Sequence, residues 1–175
     1  MALIQASYTV HRNKAYAGMI ADTSLYNVDG TCCAGVDKLP VGIFVVLDKT
    51  LKVVDGHKVV TNVVDTAEAN PQIIGATIMS HAYSPEGTYD EGSAVNVATH
   101  GRVWMLCDKT LTDADKALGA SISINAKGEV VKAGTASALV TVHTSTGEWL
   151  KTDDTKYDLI KVQITQAQFQ LQQTP

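Results

Sequence analysis

The residues of this 175-residue chain that could do chemistry are five histidines, three cysteines and eighteen carboxylates. The histidines are His11, His57, His81, His100 and His143, each in a different segment. Zinc sites draw on locally paired ligands, and no such pair is present. Ser80, His81 and Asp65 can be written as a triad. Adjacent side chains on a strand point to opposite faces, however, so Ser80 and His81 could not readily reach one another. Cys32 and Cys33 are adjacent, and Cys107 ends the apolar run VWMLC. An odd count with one vicinal pair makes a poor disulfide framework. All three are expected as reduced thiols, with Cys107 a small buried hydrophobe. A calcium loop would place carboxylates at alternate positions. Asp108, Asp113 and Asp115 come nearest to that pattern and suit helix-end chemistry better, while Asp153 and Asp154 are simply adjacent. There is no phosphate-binding glycine loop, dinucleotide fingerprint, HExxH or GxSxG. The expectation is a protein with no catalytic residues, no metal and no cofactor.

Composition narrows the classes further. The chain is 45% hydrophobic and 18% charged, which is globular rather than disordered. At this length it can bury roughly 70% of its unfolded surface without a staple. Its net charge of −4 argues against binding nucleic acid through phosphate neutralisation. The longest apolar run, Val41 to Leu47, is far below the roughly 18 residues of a membrane span. Met1 to Gln5 lacks a basic region followed by an apolar core, so no cleaved signal peptide is expected.

Elements that would position any site read mainly as strands. Val, Thr, Ala and Gly are plentiful while aromatics are only 6%. Val41–Leu47, Leu51–Val54, His57–Val64, Ile73–Met79, Val95–Thr99, Arg102–Leu106, Ser121–Asn125, Glu129–Lys132 and Leu139–Thr144 are short strand candidates. Asp55-Gly56, His100-Gly101 and Ala126-Lys127-Gly128 each divide two such runs, so three hairpins are expected. Leu111–Leu118 is the one helix, capped by Thr112 and ended by Gly119. Val28–Pro40 reads as a long loop and Lys14–Asn27 as an irregular surface segment. Leu159–Leu171 reads as a long strand whose apolar face switches near Thr165 and Gln166. The fold class is mainly β: a small barrel or sandwich of about nine or ten short strands, one short helix and extended terminal arms. The organisation expected is an arm and irregular segment at 1–40, a β core at 41–150 and a C-terminal strand or arm at 151–175.

The order of certain segments resembles a known family. Ala17-Gly18-Met19-Ile20-Ala21-Asp22 is followed by Leu39-Pro40-Val41-Gly42-Ile43-Phe44-Val45. Then come Ile74-Gly75-Ala76-Thr77-Ile78, Ser80-His81-Ala82-Tyr83, a stretch from Tyr89 through Gly92 to Val95-Asn96-Val97, and His100-Gly101-Arg102-Val103-Trp104-Met105. Over roughly positions 17–132 this order is similar to the structural cement, or head decoration, proteins of tailed bacteriophages. Cys32-Cys33 and the Gln-rich C-terminal strand are not part of the resemblance.

That resemblance implies a non-enzymatic virion protein, made in the host bacterial cytoplasm. It would sit on the outer capsid surface as a homodimer or homotrimer and clamp neighbouring copies of the major capsid protein. No nucleic acid or membrane partner is implied. The N-terminal arm (Met1 to Val10), the Gly18 to Val36 segment and the uncharged Gln163 to Gln173 strand are the candidate contacts, some by strand addition. The interface residues expected are Leu3, Ile4, Tyr8, Met19, Leu25, Tyr26, Trp149, Gln166, Phe169 and Leu171. Trp104 is expected in the core. An alternative reading is a ligand- or carbohydrate-binding β module on the virion surface, with Trp and Tyr as its platform.

Overall fold

The computed structural model describes residues 15–51, 53–67, 71–80 and 86–166. The strands follow the β-branched runs. They are β1 (Asn27–Ala34), β2 (Leu39–Pro40), β3 (Phe44–Leu47), β4 (Val53–Val54), β5 (His57–Thr61), β6 (Ile73–Thr77), β7 (Thr88–Tyr89) and β8 (Ala94–Asp108). A single turn of helix, α1 (Asp113–Lys116), comes next. It precedes β9 (Ser121–Ile124), β10 (Val130–Val131), β11 (Leu139–Leu150) and β12 (Tyr157–Ile164).

Strand pairings β1-β5-β3-β6-β8 return to β1 and close a five-stranded barrel. All are antiparallel except β1 with β5. A second circuit, β8-β10-β9-β11-β12, returns to β8. The two circuits use different halves of that strand. Val97 and Ala98 pair with β6, whereas Gly101 to Asp108 pair with β12.

Two cores result. Ile43, Val45, Val60, Val95 and Val97 pack in one, with Cys32, Leu39 and Tyr89. Phe44, Val46, Val103, Met105, Cys107 and Ile160 pack in the other. β3 therefore buries both faces, one in each core, which is why its sequence is a continuous apolar run. Burying a side chain the size of Phe44 or Met105 contributes roughly 1.5–3 kcal/mol. In β8 the odd-numbered side chains move from the first core to the second between Val97 and Val103. Strict alternation would keep them on one face. Between these residues lies Gly101, at φ +113°, where the strand passes from one circuit to the other.

Several expectations are corrected by these pairings. Val28–Pro40 is not a loop throughout: Asn27–Ala34 is a strand, because Cys32 and Ala34 are buried in the first core. His100-Gly101 is not a hairpin turn but the middle of one 15-residue strand. β12 ends at Ile164, so the long strand expected to Leu171 stops before Thr165 and Gln166, and residues 167–175 lie outside the described residues. Trp104 belongs to neither core and is half-buried on the outer face of β8. The Asp55-Gly56 hairpin forms as expected, with positive φ at both residues, 49° and 83°. The hairpin between β9 and β10 also forms. α1 is shorter than the run expected. Thr112 and Asp115 make a reciprocal capping box at its start.

Candidate functional site

The segment before β1 is strapped to the outside of β8. Gly18 N–H donates to the Trp104 carbonyl at 2.8 Å, Trp104 N–H to the Met19 carbonyl at 3.0 Å, and Ala21 N–H to the Arg102 carbonyl at 2.8 Å. Ile20 bridges Val103. A charged lock secures the far end. Arg102 Nη1 lies 3.1 Å from Asp22 Oδ2, and its Nε donates to Gln163 Oε1 at 3.1 Å. Lys161 Nζ is 3.9 Å from Asp22 and also contacts Glu148. The Ser24 hydroxyl and then its amide donate to Asp22, and with Arg102 they hold its carboxyl down at about 2 against the effect of burial.

This strap determines what is displayed beside Gly101. Leu25 is 78% exposed, Tyr26 47% and Val28 39%. Leu25 and Tyr26 lie between two anchored points, the Ala21–Arg102 bond of the strap and the pairing of Asn27 with His100, and Val28 is itself paired in β1. Gln166 is exposed two residues beyond Ile164, the partner of Gly101 in the β8–β12 ladder. The structure therefore brings Leu25, Tyr26 and Gln166 to one end of β12. Met19 is half-buried in the strap.

Trp149 is elsewhere. It pairs with Ile160, four residues back along β12, roughly 13 Å at strand rise. Lys116 Nζ sits 3.8 Å from its ring centroid, a cation–π contact that occupies one ring face. The ring is 44% exposed, and Leu118, close to Gly147 on the same strand, is 81% exposed. Leu3, Ile4, Tyr8, Phe169 and Leu171 lie outside the described residues.

Other exposed aliphatics were missed by the sequence reading. Val140 and Val142 face outward from β11, and Leu51, Val53, Val54 and Val63 are also exposed. A β-branched run looks the same whether a core covers it or not, so nothing local distinguishes them.

The groups with chemical potential are occupied structurally. Cys32, Cys33 and Cys107 are free, and burial pushes the thiols of Cys32 and Cys107 up to about 12. His143 stacks on Phe44 with ring centroids 4.7 Å apart, and its Nδ1 accepts from the Thr165 amide at 3.2 Å. Burial holds that imidazole down to about 4. Asp154 Oδ1 accepts from the amides of Lys156 and Tyr157. His81 lies outside the described residues, and Ser80 accepts from the Tyr89 hydroxyl at 3.0 Å. Among the described residues no three His, Cys, Asp or Glu side chains are grouped to hold a metal, and no helix is long and apolar enough to cross a membrane.

The fold is thus a closed barrel joined through β8 to a second strand circuit, with a locked outer strap that displays apolar side chains. Residues 4–165 match the model of the phage structural cement protein family, and the chain belongs to that family. Its role is that of a structural protein of the phage virion. A solved chain described as the capsid of Myoviridae phage XM1 shares the fold at a TM-score of 0.52 and 18% identity. The match covers 93% of this chain and 98% of that one. No curated protein matches the sequence.

Proposed function

We propose that this protein binds the outer surface of the assembled capsid and clamps neighbouring major capsid subunits, acting as a homodimer or homotrimer. The observation that carries the reading is the strap. With β1 it anchors the chain on either side of Leu25 and Tyr26 and next to Val28, which lowers the ordering cost when a partner covers them. The family supplies the class of partner, since a cement protein associates with a capsid.

The physical basis is multivalency. One patch of this size binds weakly. An oligomer touching several subunits makes each later contact intramolecular and multiplies affinity by about 10²–10⁴. Because the subunits are adjacent only in the assembled shell, binding stabilises the shell by mass action. Residues 1–10 and 167–175 are proposed as further contacts. β12 itself is excluded as a docking edge as far as Ile164, because β8 and β11 already flank it.

Co-sedimentation with empty shells tests the reading, with solution mass followed by light scattering. A fixed stoichiometry is expected, and Leu25→Asp with Tyr26→Ala should weaken binding at least tenfold while leaving the fold intact. A strict monomer with no affinity for shells would overturn it.

A further inference from the structure

Leu106 of β8, Leu159 of β12 and Leu150 of β11 stand in one row, because Leu159 pairs with Leu106 on one side and with Leu150 on the other. Side chains of directly paired residues share a face, so the three make an apolar floor about 10 Å across at the spacing of neighbouring strands. This floor belongs to a groove of about 320 Å³. Ala15 and Tyr16, at the start of the strap, also line it, as do Asp153 and Asp154 in the turn between β11 and β12. Leu159 is buried, but Leu106 and Leu150 are half-buried and Tyr16 is 59% exposed, so the described residues cover the floor incompletely. Cations near the turn are committed. Lys109 Nζ lies 3.8 Å from Asp158 and donates to the Thr152 carbonyl at 3.3 Å, and Lys156 pairs with Glu129. Asp154 accepts from the backbone amides of Lys156 and Tyr157, which leave its charge in place. Lys151 lines the groove as well, one cation against the exposed carboxylates of Asp153 and Asp154.

The chain enters this groove at Ala15. Residues 1–14 lie outside the described residues and carry no carboxylate, while Arg12 and Lys14 are cations and Tyr8 and Val10 are apolar. Val10 precedes Ala15 by five residues, a reach of up to about 17 Å, so the whole floor is accessible to it. We propose that the groove is the seat of this chain's own N-terminal arm, with Tyr8 and Val10 on the leucine floor and Arg12 and Lys14 against Asp153 and Asp154. The arm of a second copy is the poorer occupant, since the tether at Ala15 gives the chain's own arm an effective concentration on the order of millimolar. The groove is at the small end of the roughly 300–1,000 Å³ of ligand pockets, which suits a pair of side chains rather than a folded partner. The inference stands apart from the capsid-binding reading and narrows it: with Tyr8 and Val10 seated, residues 1–7, with Leu3 and Ile4, are the part of the arm left to touch a capsid subunit.

Trypsin cleavage after Arg12 in the full-length protein tests the seat, each rate being divided by that of a peptide of residues 1–16 with the same sequence. Wild type should be cut at least about tenfold more slowly than its peptide. Val10→Asp, in the arm, and Asp153→Lys, on the exposed turn, should each raise the normalised rate about threefold or more with thermal melting unchanged. The two variants alter opposite partners, so either one that melts as wild type suffices. Wild type cut as fast as its peptide, or a variant that melts as wild type and stays fully protected, would overturn the proposal. Carbodiimide coupling shows whose arm is seated. Lys14 joined to Asp153 or Asp154 within one chain is expected, and coupling confined to dimers would assign the groove to a second copy and overturn the proposal.

Discussion

Tyr26 lies directly over Gly101: a Cβ added to Gly101 would be 2.6 Å from the Tyr26 Cβ. The same glycine, at φ +113°, is where β8 leaves one circuit and enters the other. The joint between the two cores and the seat of the displayed patch are thus one residue. Gly101→Ala should cost about 2–3 kcal/mol, from positive-φ strain and from displacement of Tyr26. Urea denaturation measures this, and a variant within about 0.5 kcal/mol of wild type would remove Gly101 from that role.

His143 makes stability depend on pH. Its folded-state value of about 4 lies below the ordinary 6.5 because burial penalises the imidazolium. The unfolded chain therefore binds more protons between these values. The contribution is complete above about pH 6.5 and is lost as pH falls towards 4, by about 3 kcal/mol. His143→Gln, which cannot titrate, should flatten the difference between urea midpoints at pH 7 and pH 4.5. An unchanged slope would assign the dependence to other groups.

Ser123 Oγ is buried and has no hydrogen-bond partner among the described residues. Ile122 and Ile124 on either side of it pack in the second core. Removing an unsatisfied hydroxyl is neutral or favourable, so Ser123→Ala should raise stability by up to about 1 kcal/mol. A clear loss in a thermal melt would mean that the hydroxyl has a partner in solution.

Thiol reactivity should be selective. Cys32 and Cys107 are 1% and 0% exposed, and burial holds both in the unreactive thiol form, whereas Cys33 is half-buried. Alkylation of the native protein should label Cys33 first, with the other two labelled only after denaturation. Rapid labelling of Cys107 by peptide mass mapping would contradict its burial.

Thr112 accepts from the Asp115 amide while Asp115 accepts from Thr112. Thr112→Ala should cost about 1 kcal/mol. It should also loosen Lys116 from Trp149, which intrinsic tryptophan fluorescence reports. An unaltered emission spectrum would uncouple the cap from the cation–π contact.

The sequence by itself determined the local chemistry. Short β-branched runs dictated a mainly β fold, Asp55-Gly56 a tight turn, and Thr112 with Asp115 a helix start. The order of the Gly-Met, Pro-Val-Gly and Gly-Arg-Val-Trp segments pointed to the cement family that the chain joins. Each signal acts over a few residues, where sterics and hydrogen bonding suffice. Only the tertiary structure decided what distant residues supply. His100-Gly101 has the local chemistry of a hairpin turn, yet Ile164 pairs with Gly101 and Tyr26 covers it, so the strand runs through. Val45 and Val46 are buried while Val53 and Val54 are exposed, although each is a Val-Val pair in a segment read as a strand. Burial depends on which elements arrive from elsewhere in the chain, and for β3 they arrive on both faces whereas for β4 they do not.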